Sequence, residues 1–75
     1  MSSLLDEVRT RPKLPAPGMA KAIRKAAGVT QARLATELDV HPVTLSRWET
    51  GVRKPQGTDR THWMAMLSEL AEATR

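Results

Sequence analysis

Between Val29 and Pro55 the chain reads VTQARLATELDVHPVTLSRWETGVRKP, and this stretch leaves little freedom in how it can fold. Gly28, just before it, supplies the left-handed conformation with which a helix often ends. Thr30 is a good N-cap for a helix from Gln31 to Leu38, whose inner face is Leu34, Ala35 and Leu38. Asp39 and Val40 make the turn. His41 stands before Pro42, and proline suits the first position of a helix because its missing donor would be unpaired there anyway. The next helix therefore runs from Pro42 to about Glu49 or Thr50, with Leu45 and Trp48 pointing inward beside Val40, and Gly51 stops it. Residues 52–57, VRKPQG, form a loop. The result is two short helices around a tight turn, followed by a basic tail.

The flanks are helical too. Met19, Ala22, Ile23 and Ala26 recur at helical spacing with Lys21, Arg24 and Lys25 between them, so a helix is expected from Gly18 or Met19 to Ala27. A last helix begins near Thr58 or Asp59, either of which can cap it. It carries the stripe Trp63, Met66, Leu67 and Leu70, extended by Ala71. Trp48 and Trp63 read as core rather than as platforms for stacking bases. Met19, Met64 and Met66 read as gap-filling core. No segment alternates like a strand. The expected fold is all-α, a compact four-helix core. Upstream, residues 11–18, RPKLPAPG, hold three prolines and a glycine and read as an extended linker. Residues 3–9 offer a further short helix, with Ser3 as cap, Asp6 in its first turn and an apolar edge of Leu4, Leu5 and Val8, too short to be stable alone. The expected division is an arm over residues 1–17 and one domain over 18–75.

Seventy-five residues make one small domain, which buries only about 60% of the surface its unfolded chain exposes. There is no cysteine, and His41 and His62 lack the partners that a zinc site requires, so no metal is expected. No nucleophile–base arrangement, glycine-rich phosphate loop or cofactor motif points to an enzyme, a cofactor or a small-molecule ligand. Apolar runs are too short to span a bilayer, and the N-terminus does not look like a secretory signal, so no membrane partner and a cytoplasmic location are expected. The net charge of +4 hides a strong asymmetry. Residues 9–60 carry eleven bases and four acids, a net +7, against −2 for residues 1–8 and −1 for residues 61–75. Charge alone would suggest a solvated lysine- and arginine-rich face. Charge coinciding with the two-helix motif points to a polyanion, nucleic acid before acidic membrane.

The stretch TQARLATELDVHPVTLSRWETGVRKP resembles the helix-turn-helix of the Cro and phage-repressor family, the XRE or lambda-repressor-like type. The resemblance covers about Met19 to Leu70. It is carried by Gln31, Leu34-Ala35, Val40, Leu45, the run Ser46-Arg47-Trp48-Glu49 with Gly51, and then Arg53 and Pro55. It implies a partner, double-stranded DNA, whose major groove the second motif helix enters. His41, Pro42, Val43, Thr44 and Arg47 then stand where base edges are read. The Arg47 fork matches guanine O6 and N7; a phosphate contact or a surface salt bridge are its alternatives. Val43 and Thr44 could meet thymine methyl groups, though Val43 could also be partly buried. Ser46 either bonds a phosphate or faces water. The resemblance puts Gln31 at the DNA backbone, where a helix N-terminus favours phosphate; its alternative is to bond its own backbone. Arg33, Arg53 and Lys54 are phosphate candidates, and Arg53 could also approach a minor groove. His41 reads as an N-cap residue that could touch a phosphate. The acid matching Glu49 commonly pairs in that family with a helix 1 arginine, here Arg24, so an Arg24–Glu49 bridge, at least partly buried, is expected.

Two departures weaken the resemblance. Asp39 stands where the turn usually has glycine, and Pro42 replaces a residue that often donates to DNA. One such module reads only a few base pairs, and half-sites about 34 Å apart usually engage two. A homodimer could form through a last helix with Trp63 or Met64 partly exposed, or through Leu4, Leu5 and Val8. A monomer could instead extend its footprint with Arg9, Arg11 and Lys13 of the arm; the alternative is a tail that touches nothing. The leading expectation is a small phage- or prophage-type repressor in a bacterial cell, acting by operator occupancy. The other is a protein-interaction module, an antitoxin or adaptor, with secondary or no DNA binding.

Overall fold

The computed structural model describes residues 15–74, and they are all-α, as expected. Helix α1 spans Pro17–Ala26, α2 Gln31–Leu38, α3 Pro42–Thr50 and α4 Gly57–Ala73. The proposed helix at 3–9, the apolar edge of Leu4, Leu5 and Val8, and the arm cations Arg9, Arg11 and Lys13 lie outside the described residues.

Local chemistry sets most of the boundaries. Pro17 occupies the first turn of α1, so the helix starts slightly before the expected Gly18 or Met19. The Arg33 amide donates to Thr30 Oγ1 at 3.1 Å and caps α2. Asp39 ends α2 in the left-handed region, with φ 56° and ψ 45°, which aspartate tolerates better than most side chains. The Val43 amide donates to His41 Nδ1 at 3.1 Å, so the histidine caps α3 directly ahead of Pro42. Gly51, at φ 81°, closes α3, and a Cβ built there would lie 3.1 Å from Pro17 Cγ. Neither Thr58 nor Asp59 caps α4. The helix begins earlier, behind Gln56, and Asp59 sits in its first turn, where a negative charge favours the helix dipole.

The core joins all four helices. Ala20, Leu34, Ala35, Leu38, Leu45, Trp48, Trp63 and Leu67 are buried together, and Ile23, Val29, Val40, Met66 and Leu70 pack on them. The Trp48 and Trp63 rings meet at 5.3 Å between centroids, tilted by 45°. The long α4 packs against α1 and α2, and α3 packs against α1 and α2. Ala35 is fully buried.

Two expectations about burial need correcting. On α1 and its C-cap the inward positions are Ala20, Ile23, Arg24 and the capping Ala27, one residue later than the expected Met19, Ala22, Ile23 and Ala26. Met19 is 57% exposed and fills no gap in the core. The shift has one cause: an arginine lies on the inner face, and an apolar count places arginines outside. Of Trp63 and Met64, either of which the sequence offers as the partly exposed side chain of a dimer contact, Trp63 is 2% exposed and belongs to the core, its other reading, and Met64 is half-buried.

Candidate nucleic-acid interface

Helix α3 turns Leu45, Trp48 and Glu49 inward. Val43 and Arg47 are exposed on the other side, and Thr44 and Ser46 are half-buried beside them. Val43, at 49%, is one of the few exposed large apolar side chains among the described residues. Thr44 is thus less open than a fully solvent-facing position. After Gly51 the chain folds back, and the Arg53 amide donates to the Arg47 carbonyl at 3.2 Å. This return brings Arg53 and Lys54 up to α3. With Thr44, Arg47, Gln56 and Asp59 they line a shallow depression of about 520 Å³. Three cations against one acid, at the start of α4, make a surface suited to an anionic strand. Gln56 and Asp59 were absent from the sequence-derived set. They reach the depression only because the 51–56 loop turns back, which no local pattern announces.

The opposite side of α3 is tied down by ions. Arg24 Nε donates to Glu49 Oε2 at 2.7 Å and Nη2 to Glu49 Oε1 at 3.1 Å, a two-point pair between side chains 7% and 2% exposed. The remaining guanidinium edge donates to the Val29 carbonyl at 2.9 Å. Gln31 Nε2 completes the cluster by donating to Glu49 Oε1 at 3.1 Å. Gln31 therefore spends this amide donor on Glu49 and not on its own backbone. It joins the start of α2 to the end of α3, a link the sequence reading missed, because the two positions are far apart in the chain. The acid at the end of α3 is thereby neutralised and turned away from the exposed face.

The remaining candidates are scattered. His41 caps α3 at its N-terminal end, beside exposed Val43. Arg33 does not join the depression. It lies with Glu37 and Glu69 along a hollow between α2 and α4, and its ion pair with Glu37, at 3.8 Å, is exposed and worth little. Among the described residues no helix is long and apolar enough to cross a membrane.

Comparison with known proteins places this arrangement. The sequence model of the family described as Helix-turn-helix matches residues 21–59, which runs from α1 through the turn and α3 to the start of α4. The chain belongs to this helix-turn-helix family. Its type is that of Cro and the XRE-like regulators, and such a domain marks a DNA-binding transcription regulator, a family not typically enzymatic. No curated protein and no solved structure matches the chain.

Proposed function

We propose that this chain is a sequence-specific repressor of the phage or prophage kind, acting by occupying its operator with α3 in the major groove. The observation that carries the reading is the continuity of the exposed face of α3 with the Arg47, Arg53 and Lys54 depression. One edge has the shape and chemistry to read bases, and the adjoining edge has the charge to hold a phosphate strand. Arg47 reads guanine, and Val43 and Thr44 lie against thymine methyl groups. Arg53, Lys54, Arg33, His41 and Ser46 position the backbone, and Gln31 does so through the amide end of α2 while its side chain holds Glu49. The protein works on the DNA of a bacterial cell, without cofactor or metal, and one copy per half-site gives the simplest operator.

Selection of bound sequences from random DNA at moderate salt tests this. An enriched motif is expected. Two inverted half-sites one helical turn apart indicate a dimer, and a single short site indicates a monomer. Affinity should also fall with salt, the slope of log K against log salt reaching about −3 if three cations each neutralise one phosphate. Absence of any enriched motif, with a protein partner co-purifying, overturns the reading in favour of an interaction module.

A further inference from the structure

Two acids stand close to the exposed face of α3, and the fold treats them oppositely. Glu49 is buried and spent on Arg24 and Gln31. Asp59 is exposed and lines the depression with Arg47, Arg53 and Lys54. Its carboxylate makes no hydrogen bond or ion pair with any described residue, those three cations included. Its charge therefore faces whatever fills the depression.

An acid that pairs with none of its cationic neighbours subtracts from the pull of all of them on an anion. What favours a negative charge at this position is α4. Gln56 ahead of the helix makes no capping bond, and Asp59 is the acid of the first turn, where free amides and the helix dipole attract negative charge. Asp59 thus supports the helix that borders the depression and opposes the anion that the depression attracts. Its reach is short, because charges in solvent are screened beyond about 10 Å at 0.1 M salt. Glu69 is the useful contrast. It lies further along α4, about 15 Å away at about 1.5 Å per residue, and lines the hollow beside α2 instead.

We propose that Asp59 limits how tightly the depression holds a DNA phosphate, and so restrains affinity for every sequence alike. This rests on the reading of α3 as the element that binds DNA. A unit charge about 5–8 Å from a phosphate, at a water-like dielectric constant, changes affinity about two- to fourfold.

The test compares Asp59→Asn with the unsubstituted chain on matched and scrambled sites. Affinity should rise about two- to fourfold on both, and the salt slope should steepen by up to about 0.9. The urea midpoint should fall slightly, since α4 loses a favourable charge. Binding and stability then move in opposite directions, which damage to α4 alone does not produce. Gln56→Glu adds a second acid to the same depression and should do the reverse: weaker binding, with stability kept or raised. Glu69→Gln makes the same change of net charge outside the depression and should alter affinity by less than about half as much at 0.1 M salt. An equal gain in Glu69→Gln assigns the effect to net charge and overturns the proposal. So does a loss confined to the matched site, the sign of a carboxylate that accepts from a cytosine amino group, and so does unchanged affinity in Asp59→Asn. If the unsubstituted chain binds no DNA, the reading of α3 fails and this proposal with it; if it binds and Asp59→Asn binds no better, only this proposal fails.

Discussion

Removing one partner of the Arg24–Glu49 pair should cost at least as much as removing both. In Glu49→Ala the Arg24 guanidinium, in a residue 6% exposed, keeps only the Val29 carbonyl at 2.9 Å. In Arg24→Ala the Glu49 carboxylate, in a residue 4% exposed, keeps only the Gln31 amide at 3.1 Å. Each single change leaves a buried charge without its counter-ion, a loss of about 3–5 kcal/mol. A 75-residue domain has only about 4–11 kcal/mol of stability in all, at roughly 0.05–0.15 kcal/mol per residue. Each single variant should therefore lie near the edge of unfolding, with Tm lowered by about 4–8 °C for every kcal/mol lost. The double alanine variant carries no orphaned charge. It should be no less stable than the worse single variant, so the cycle should give a coupling at least as large as the smaller single loss, about 3 kcal/mol. Arg24→Met with Glu49→Leu, which fills the same volume with apolar atoms, should be neutral or stabilising by about 1–4 kcal/mol. Urea unfolding followed by the fluorescence of buried Trp48 and Trp63 measures all of these, with Glu49→Gln replacing Glu49→Ala if the latter does not fold. Single losses that add to the double loss within about 0.5 kcal/mol would refute the coupling.

Other outcomes follow from the same geometry. Thr30→Ala removes the acceptor of the Arg33 amide and should lower stability by about 1 kcal/mol in the same urea assay. Gly51→Ala puts a side chain at φ 81° and a Cβ 3.1 Å from Pro17 Cγ, so it should cost at least the 1–2 kcal/mol or so of a left-handed residue; an unchanged midpoint would mean that the contact yields freely. Ala35→Leu overfills a fully buried position and should cost about 1–3 kcal/mol or more. On DNA, Arg47→Ala should relax preference at one position of the selected motif. Lys54→Ala should weaken all sequences about equally and make the salt slope shallower by about 1, both read by titration against matched and scrambled sites.

The helices were legible because their signals are local. Thr30 before α2, His41-Pro42 before α3 and the glycines after α1 and α3 each act within a few residues, and the Trp63, Met66, Leu67, Leu70 stripe needs only its own helix. The face of α1 was misread by one position because Arg24 is buried, and burying a cation is possible only when an acid elsewhere in the chain meets it. The resemblance suggested Glu49 as that acid; periodicity alone kept the arginine outside and Met19 inside. Gln31 was assigned to a phosphate because a helix N-terminus attracts one, while its side-chain amide depends on where α3 ends relative to α2.

The sequence by itself determined the four helices of residues 15–74, the turn between the motif helices, and the concentration of positive charge in the middle of the chain. These depend on side chains within one turn of one another. The tertiary structure decided which residues share a surface: Glu49 withdrawn from the exposed face by Arg24 and Gln31, Arg53 and Lys54 folded back to Arg47, and the Trp63 indole donor buried in the core. Each of those depends on the free energy of bringing distant segments together, where burial makes an ion pair necessary and an unpaired donor costly, and spacing along the chain carries no record of it.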